Sequence, residues 1–237
     1  MAAGRWRWLG FLSSAAFMAA TLTYGATTLG LLGPNEPAGS GELRTRLATH
    51  MAFQRDGFAY EQVANWSYVT ALLSLGMLVL VMARTGGLGD RLSSGVGAGL
   101  VLTGCAIAAS AQVIYLGAME RLLYSSQFDD VDVVSLTVQI DAVNRVDDYL
   151  ENLGYVVIGL GLLTLARLLG AGTSWPRGWR ILTVALAVGT FVAAGTSFAL
   201  SGAQDWVLLA VGLLIAPAWT GWLGVLLGRT APEPSAP

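Results

Sequence analysis

Six stretches of this chain are too long and too apolar to belong to a water-soluble domain. They are Leu9–Gly33, Trp66–Ala83, Leu92–Met119, Leu153–Leu169, Ile181–Leu200 and Trp206–Leu227, each near the roughly 20 residues a helix needs to cross a bilayer core. Length and Gly/Ala content predict helices, because membrane-barrel strands read as short segments of alternating polarity. Composition agrees: 54% of residues are hydrophobic and 12% charged, too few charges to coat a soluble surface. The predicted fold class is all-α, a polytopic membrane bundle of six transmembrane helices with helical outer segments. It forms one domain over 1–229, and the Pro-rich 230–237 is expected to be a disordered tail.

Charge is sorted between the two ends of these runs. If all six span, thirteen of the fifteen carboxylates share one side. Arg5, Arg7, Arg84, Arg91, Arg167, Arg177, Arg180 and Arg229 lie at the other, whereas Arg44, Arg46, Arg55, Arg121 and Arg145 sit among the acidic residues. Short cytoplasmic loops retain arginine, so both termini are expected inside a bacterial plasma membrane. Tryptophan supports the same frame as an interfacial belt, with Trp6, Trp8, Trp175, Trp179 and Trp222 at inner ends and Trp66 and Trp206 at outer ones. The first apolar run is longer than a signal-peptide core, so it is expected to remain as an uncleaved span.

Residue counts exclude several chemistries. All thirteen basic residues are arginine, so no lysine can form a Schiff base with retinal or pyridoxal phosphate. One histidine, His50, and one cysteine, Cys105, rule out bis-histidine haem, thiolate clusters, a conventional zinc site and an internal disulfide. His50 has no nucleophile partner in its neighbourhood and reads as a structural residue. No nucleic-acid partner is expected.

The spans hold almost no ionisable groups, which disfavours ion-coupled transport. Gln112, Tyr115, Thr103 and Ser110 are the main polar groups of the third span and predict interhelical hydrogen bonds. Gly95 with Gly99, and Gly224 with Gly228, have the spacing that permits close helix approach, and Pro217 predicts a kink in the last span.

Chemistry is therefore sought in the acidic outer segments. The first, 34–65, reads as helical from about Glu42. The second, 120–151, opens with Asp129, Asp130 and Asp132 and continues as a helix running unbroken into the fourth span. On that helix Asp141, Asn144, Asp148 and Glu151 fall within an arc of roughly 80°. Val143, Val146, Leu150 and Leu153 occupy the opposite, expected packing side. Arg145 has the spacing to pair with Asp141 or Asp148.

Three readings of this stripe stay open. It is a solvated helix face, or a binding face for a basic partner or for Ca²⁺ or Mg²⁺ at Asp129, Asp130, Asp132, Asp141 and Asp148, or part of an enzyme. The metal spacing lacks the loop glycine and terminal glutamate of an EF-hand. As an enzyme the chain looks superficially like prenyl-diphosphate enzymes in its aspartate cluster and like membrane terpene cyclases in its span-end carboxylates. Candidate acids are Glu61, Glu120, Glu151 and Asp205.

The fourth span ending in Leu165–Leu169, the turn Ser174-Trp-Pro-Arg-Gly-Trp179 and the fifth span are together similar to an uncharacterised bacterial six-helix membrane protein family. The resemblance implies a plasma-membrane protein and transfers no activity. The expectation at this stage is a non-catalytic binding or accessory subunit, in contact with membrane lipids and a possible protein partner, with no resident cofactor. The alternative is a membrane enzyme doing carboxylate acid–base chemistry on a lipid or isoprenoid.

Overall fold

The computed structural model describes residues 2–29, 31–32, 42–85, 88, 91–127, 132–169, 175–199 and 203–230. They form α1 (Ala2–Thr28), α2 (Leu43–Thr85), α3 (Arg91–Ser125), α4 (Val133–Leu168), α5 (Arg177–Ala199) and a last rod. The rod consists of α6 (Ala203–Ala210), a π-helical turn (Val211–Ile215) and α7 (Ala216–Thr230). No strand occurs among the described residues, and six helices are long and apolar enough to cross a membrane. The molecule is an all-α bundle of a multi-pass membrane protein. Helices suit that environment because each satisfies its own backbone hydrogen bonds. Large apolar side chains such as Leu22, Leu73, Ile114, Leu160, Ile181 and Leu214 project outward, as lipid-facing residues do.

Sequential helices pack as neighbours, and the last rod closes the ring against α1. Register is antiparallel throughout. Phe17 meets Tyr68 with ring centroids 6.3 Å apart, Ser13 Oγ donates to the Ala71 carbonyl at 3.3 Å, and Ser14 Oγ donates to the Pro217 carbonyl at 2.7 Å. α3 and α4 approach most closely where Gly104 faces Gly154: a Cβ on Gly104 would lie 2.6 Å from the Gly154 carbonyl oxygen. On α3 the paired glycines Gly95 and Gly99 have open space beside them, so contact runs through Gly97 and Gly104 instead. Gly224 does mediate packing, against Gly10.

The π turn ends two residues before Pro217. Proline supplies no N–H and crowds the preceding turn, and the extra residue of a π turn absorbs that disruption. At the same end of the bundle Trp179 stacks on Trp219 at 5.1 Å and lies 4.9 Å from Trp175. Trp179 is 0% exposed, so it belongs to the core, not to an interfacial belt. Both indoles find polar partners inside the bundle: the Trp179 Nε1–H donates to the Trp219 carbonyl at 3.5 Å and the Trp219 Nε1–H to Thr183 Oγ1 at 2.9 Å.

α2, α3 and α4 have 43, 35 and 36 residues, well beyond the roughly 20 that cross a bilayer. Antiparallel register puts their surplus, about 43–65, 120–125 and 133–152, at one end, called the extended end below. There Met51 and Phe58 of α2, Leu116, Met119 and Leu123 of α3, and Leu136 and Ile140 of α4 build a second apolar core. α4 runs unbroken from this cap into its span, started by Asp132, whose carboxylate accepts from the Ser135 N–H at 3.2 Å.

Candidate functional site

The face that α4 turns inward differs from the one its sequence predicts. Val146 is 52% and Leu153 50% exposed, whereas Asp147, Asp148 and Glu151 line a cavity within the bundle. Val143 alone of the four expected packing residues joins the cap core. The reversal has a physical cause. Leu153 stands where the span begins and lipid can cover an apolar side chain, and along the whole helix the polar groups gather where other helices supply hydrogen-bond partners.

The cavity measures about 630 Å³ and is walled by all six spanning helices, within the range of small-molecule sites. Glu61 of α2 faces it together with Asp147, Asp148 and Glu151 of α4, and among the described residues none that lines it is basic. Tyr68 Oη donates to Tyr155 Oη at 2.8 Å, and Tyr155 Oη donates to Glu151 Oε1 at 2.6 Å. The second bond is short. Across the cavity Tyr115 Oη donates to Glu61 Oε2 at 3.1 Å. Gln112 Nε2 reaches both Asp147 oxygens at 3.4 Å, a long contact that satisfies that carboxylate poorly. Gln54 also lines the cavity, and its Oε1 is buried with no hydrogen-bond partner among the described residues.

Burial sets the proton affinities of the groups beyond the spanning segments. Asp147 is pushed up to about 7, first by desolvation and then by the negative charges of Glu151 and Asp148, against a weak lowering by Gln112. Burial also raises Asp148 and Glu61, the latter partly offset by the Tyr115 hydrogen bond. Arg145, adjacent in sequence, does not relieve this charge: it points outward and its Nε donates to Asp141 at 2.9 Å on an exposed face.

The sequence candidates thus separate. Glu61 and Glu151 come together at the cavity, Glu120 is exposed elsewhere, and the side chain of Asp205 lies outside the described residues. Of the metal candidates, Asp129 and Asp130 lie outside the described residues, Asp132 caps α4, Asp141 pairs with Arg145, and only Asp148 lines the cavity. Among the described residues no group of three or more His, Cys, Asp or Glu side chains is arranged to hold a metal ion.

Gln112 and Tyr115 make the interhelical hydrogen bonds their positions predict, and they also line the cavity. Sequence reasoning missed Asp147, Tyr68 and Tyr155. A signal existed for two of them, since Asp147, Glu151 and Tyr155 recur every four residues and share one helix face. No family model matches the chain, and no curated protein or solved structure matches it either.

Proposed function

We propose that this membrane protein binds a small organic cation in the cavity at the extended end of its bundle. The observation that carries this reading is the convergence of four carboxylates from two helices on one cavity that, among the described residues, no basic side chain lines. Buried carboxylates without a counter-charge are costly, and a bound ammonium would supply that charge. Aromatic rings from Tyr24, Phe53 and Tyr115 stand among the lining residues and suit a cation with weak hydration. The ligand enters the bundle in this reading, instead of meeting an acidic outer surface. Arg7, Arg84, Arg167, Arg177, Arg180 and Arg229 gather at the opposite end, which supports placing both termini in the cytoplasm and the cavity toward the exterior of a bacterial plasma membrane.

Equilibrium dialysis of radiolabelled tetraethylammonium against the protein in nanodiscs tests the proposal. Saturable binding is expected to strengthen as pH rises through about 7, because Asp147 must lose its proton to pair with the cation. Asp147→Asn should weaken it by about tenfold or more and flatten that pH profile. Retention no greater than on empty nanodiscs would overturn the reading.

One observation favours a second reading. A carboxyl with a proton affinity near neutrality, beside an apolar chamber, can exchange a proton with a substrate. A membrane enzyme acting on a lipid or isoprenoid in this way would bind its substrate undiminished in Asp147→Asn or Glu151→Gln and lose turnover.

A further inference from the structure

On the two helices that carry the carboxylates the cavity lining is ordered by polarity along the bundle axis. On α2 it passes from Gln54, Glu61 and Asn65 through Tyr68 to Leu72 and Leu75. On α4 it passes from Asn144, Asp147 and Glu151 through Tyr155 to Ile158. α1 runs the other way and agrees, with Phe17 and Ala20 deep and Tyr24, Thr27 and Thr28 toward the extended end. Tyr68 and Tyr155, hydrogen-bonded at 2.8 Å, mark the change from one chamber to the other.

Dimensions narrow the class of ligand. From Gln54 to Leu75 the helix rises about 32 Å, of which Tyr68 to Leu75 is about 10 Å. A volume of about 630 Å³ spread over that length gives a mean section of about 20 Å², which suits one hydrocarbon chain better than two side by side. Leu72, Leu75 and Leu186 wall the lower chamber, and each is buried.

We infer that the ligand is a single-chain cationic amphiphile, its ammonium head among the carboxylates and its tail below the Tyr68–Tyr155 pair. This inference rests on the cation-binding reading and names the class of cation. The lower chamber would then be a tail site, and its depth would select chain length.

The test compares tetramethylammonium with butyl-, octyl- and dodecyltrimethylammonium on the full chain in nanodiscs, with partitioning into empty nanodiscs subtracted. Affinity should rise by about fourfold per methylene until the chamber is full and then level off. Leu75→Phe should shorten the best chain and Leu186→Ala lengthen it, while tetramethylammonium binding stays within about twofold in both. Opposite shifts from filling and emptying keep the result readable should either variant fold poorly. If tetramethylammonium binds but chain length or chamber size makes no difference, the amphiphile inference falls and the cation reading stands. If no ammonium binds above empty nanodiscs, both fall.

Discussion

Asp147 lines the cavity with only long hydrogen bonds, from Gln112 at 3.4 Å, and with two carboxylates as neighbours. An ordinary aspartate titrates near 3.8, and here burial and two neighbouring carboxylates move it to about 7. The folded state therefore holds a proton that the unfolded chain has already released. The stability linked to that proton is fully present below about pH 4 and is lost as pH rises through about 7. Asp147→Asn, which cannot ionise, should melt higher than the wild type at about pH 8, by on the order of 5 °C, and match it in acid. Thermal melts of both proteins across that range check this, and an equal gap at every pH would contradict it. The same substitution is expected to weaken cation binding, so stability and function pull this residue in opposite directions. Glu151 is better served, by a tyrosine hydroxyl at 2.6 Å, and Glu61 by one at 3.1 Å. Tyr155 stands one helical turn after Glu151, a pairing the sequence itself displays, whereas Tyr115 is fifty-four positions from Glu61 and only the fold brings the two together.

Helix faces are the next scale, and α4 is the instructive one. Its periodicity is legible, and so is its unbroken course into the span. Which side turns inward is not, because periodicity separates two faces without saying what each will meet. Glycine patterns behave likewise. Gly95 and Gly99 have the expected spacing with nothing beside them, while Gly104, outside any such pair, sits against the backbone of Gly154. Gly104→Ala should therefore destabilise the bundle by about 1–3 kcal/mol, because a new Cβ would press on backbone that cannot rotate away. Gly95→Ala should leave stability unchanged or raise it by up to about 1 kcal/mol, through helix propensity alone. Denaturation of both variants in one detergent makes the comparison direct. Equal losses would show that the α3–α4 contact does not depend on Gly104.

At the scale of the molecule, six helices close into a ring whose extended end carries a three-helix cap and opens a chamber between all six. Orientation is open to direct measurement, because the native Cys105 is buried and leaves introduced thiols readable. Thr49 at the extended end and Arg84 at the other are both exposed. Thr49→Cys is expected to react with a membrane-impermeant maleimide on intact cells, and Arg84→Cys only after permeabilisation. The reverse pattern would place the cavity on the cytoplasmic side.

The sequence by itself determined the class of this protein, its six apolar runs and the gathering of acidic residues toward one end of them. These follow from local length, hydropathy and charge, which the bilayer reads almost residue by residue. Only the tertiary structure decided that Asp147, Glu151 and Glu61 share one chamber, that Asp141 and Glu120 stay outside it, and that Tyr68 and Tyr155 meet on its wall. Apolar side chains find lipid and protein equally acceptable, so hydrophobic pattern fixes where a helix crosses but not which way it turns. That rotation is set by close glycine contacts and by polar groups that need partners from distant helices.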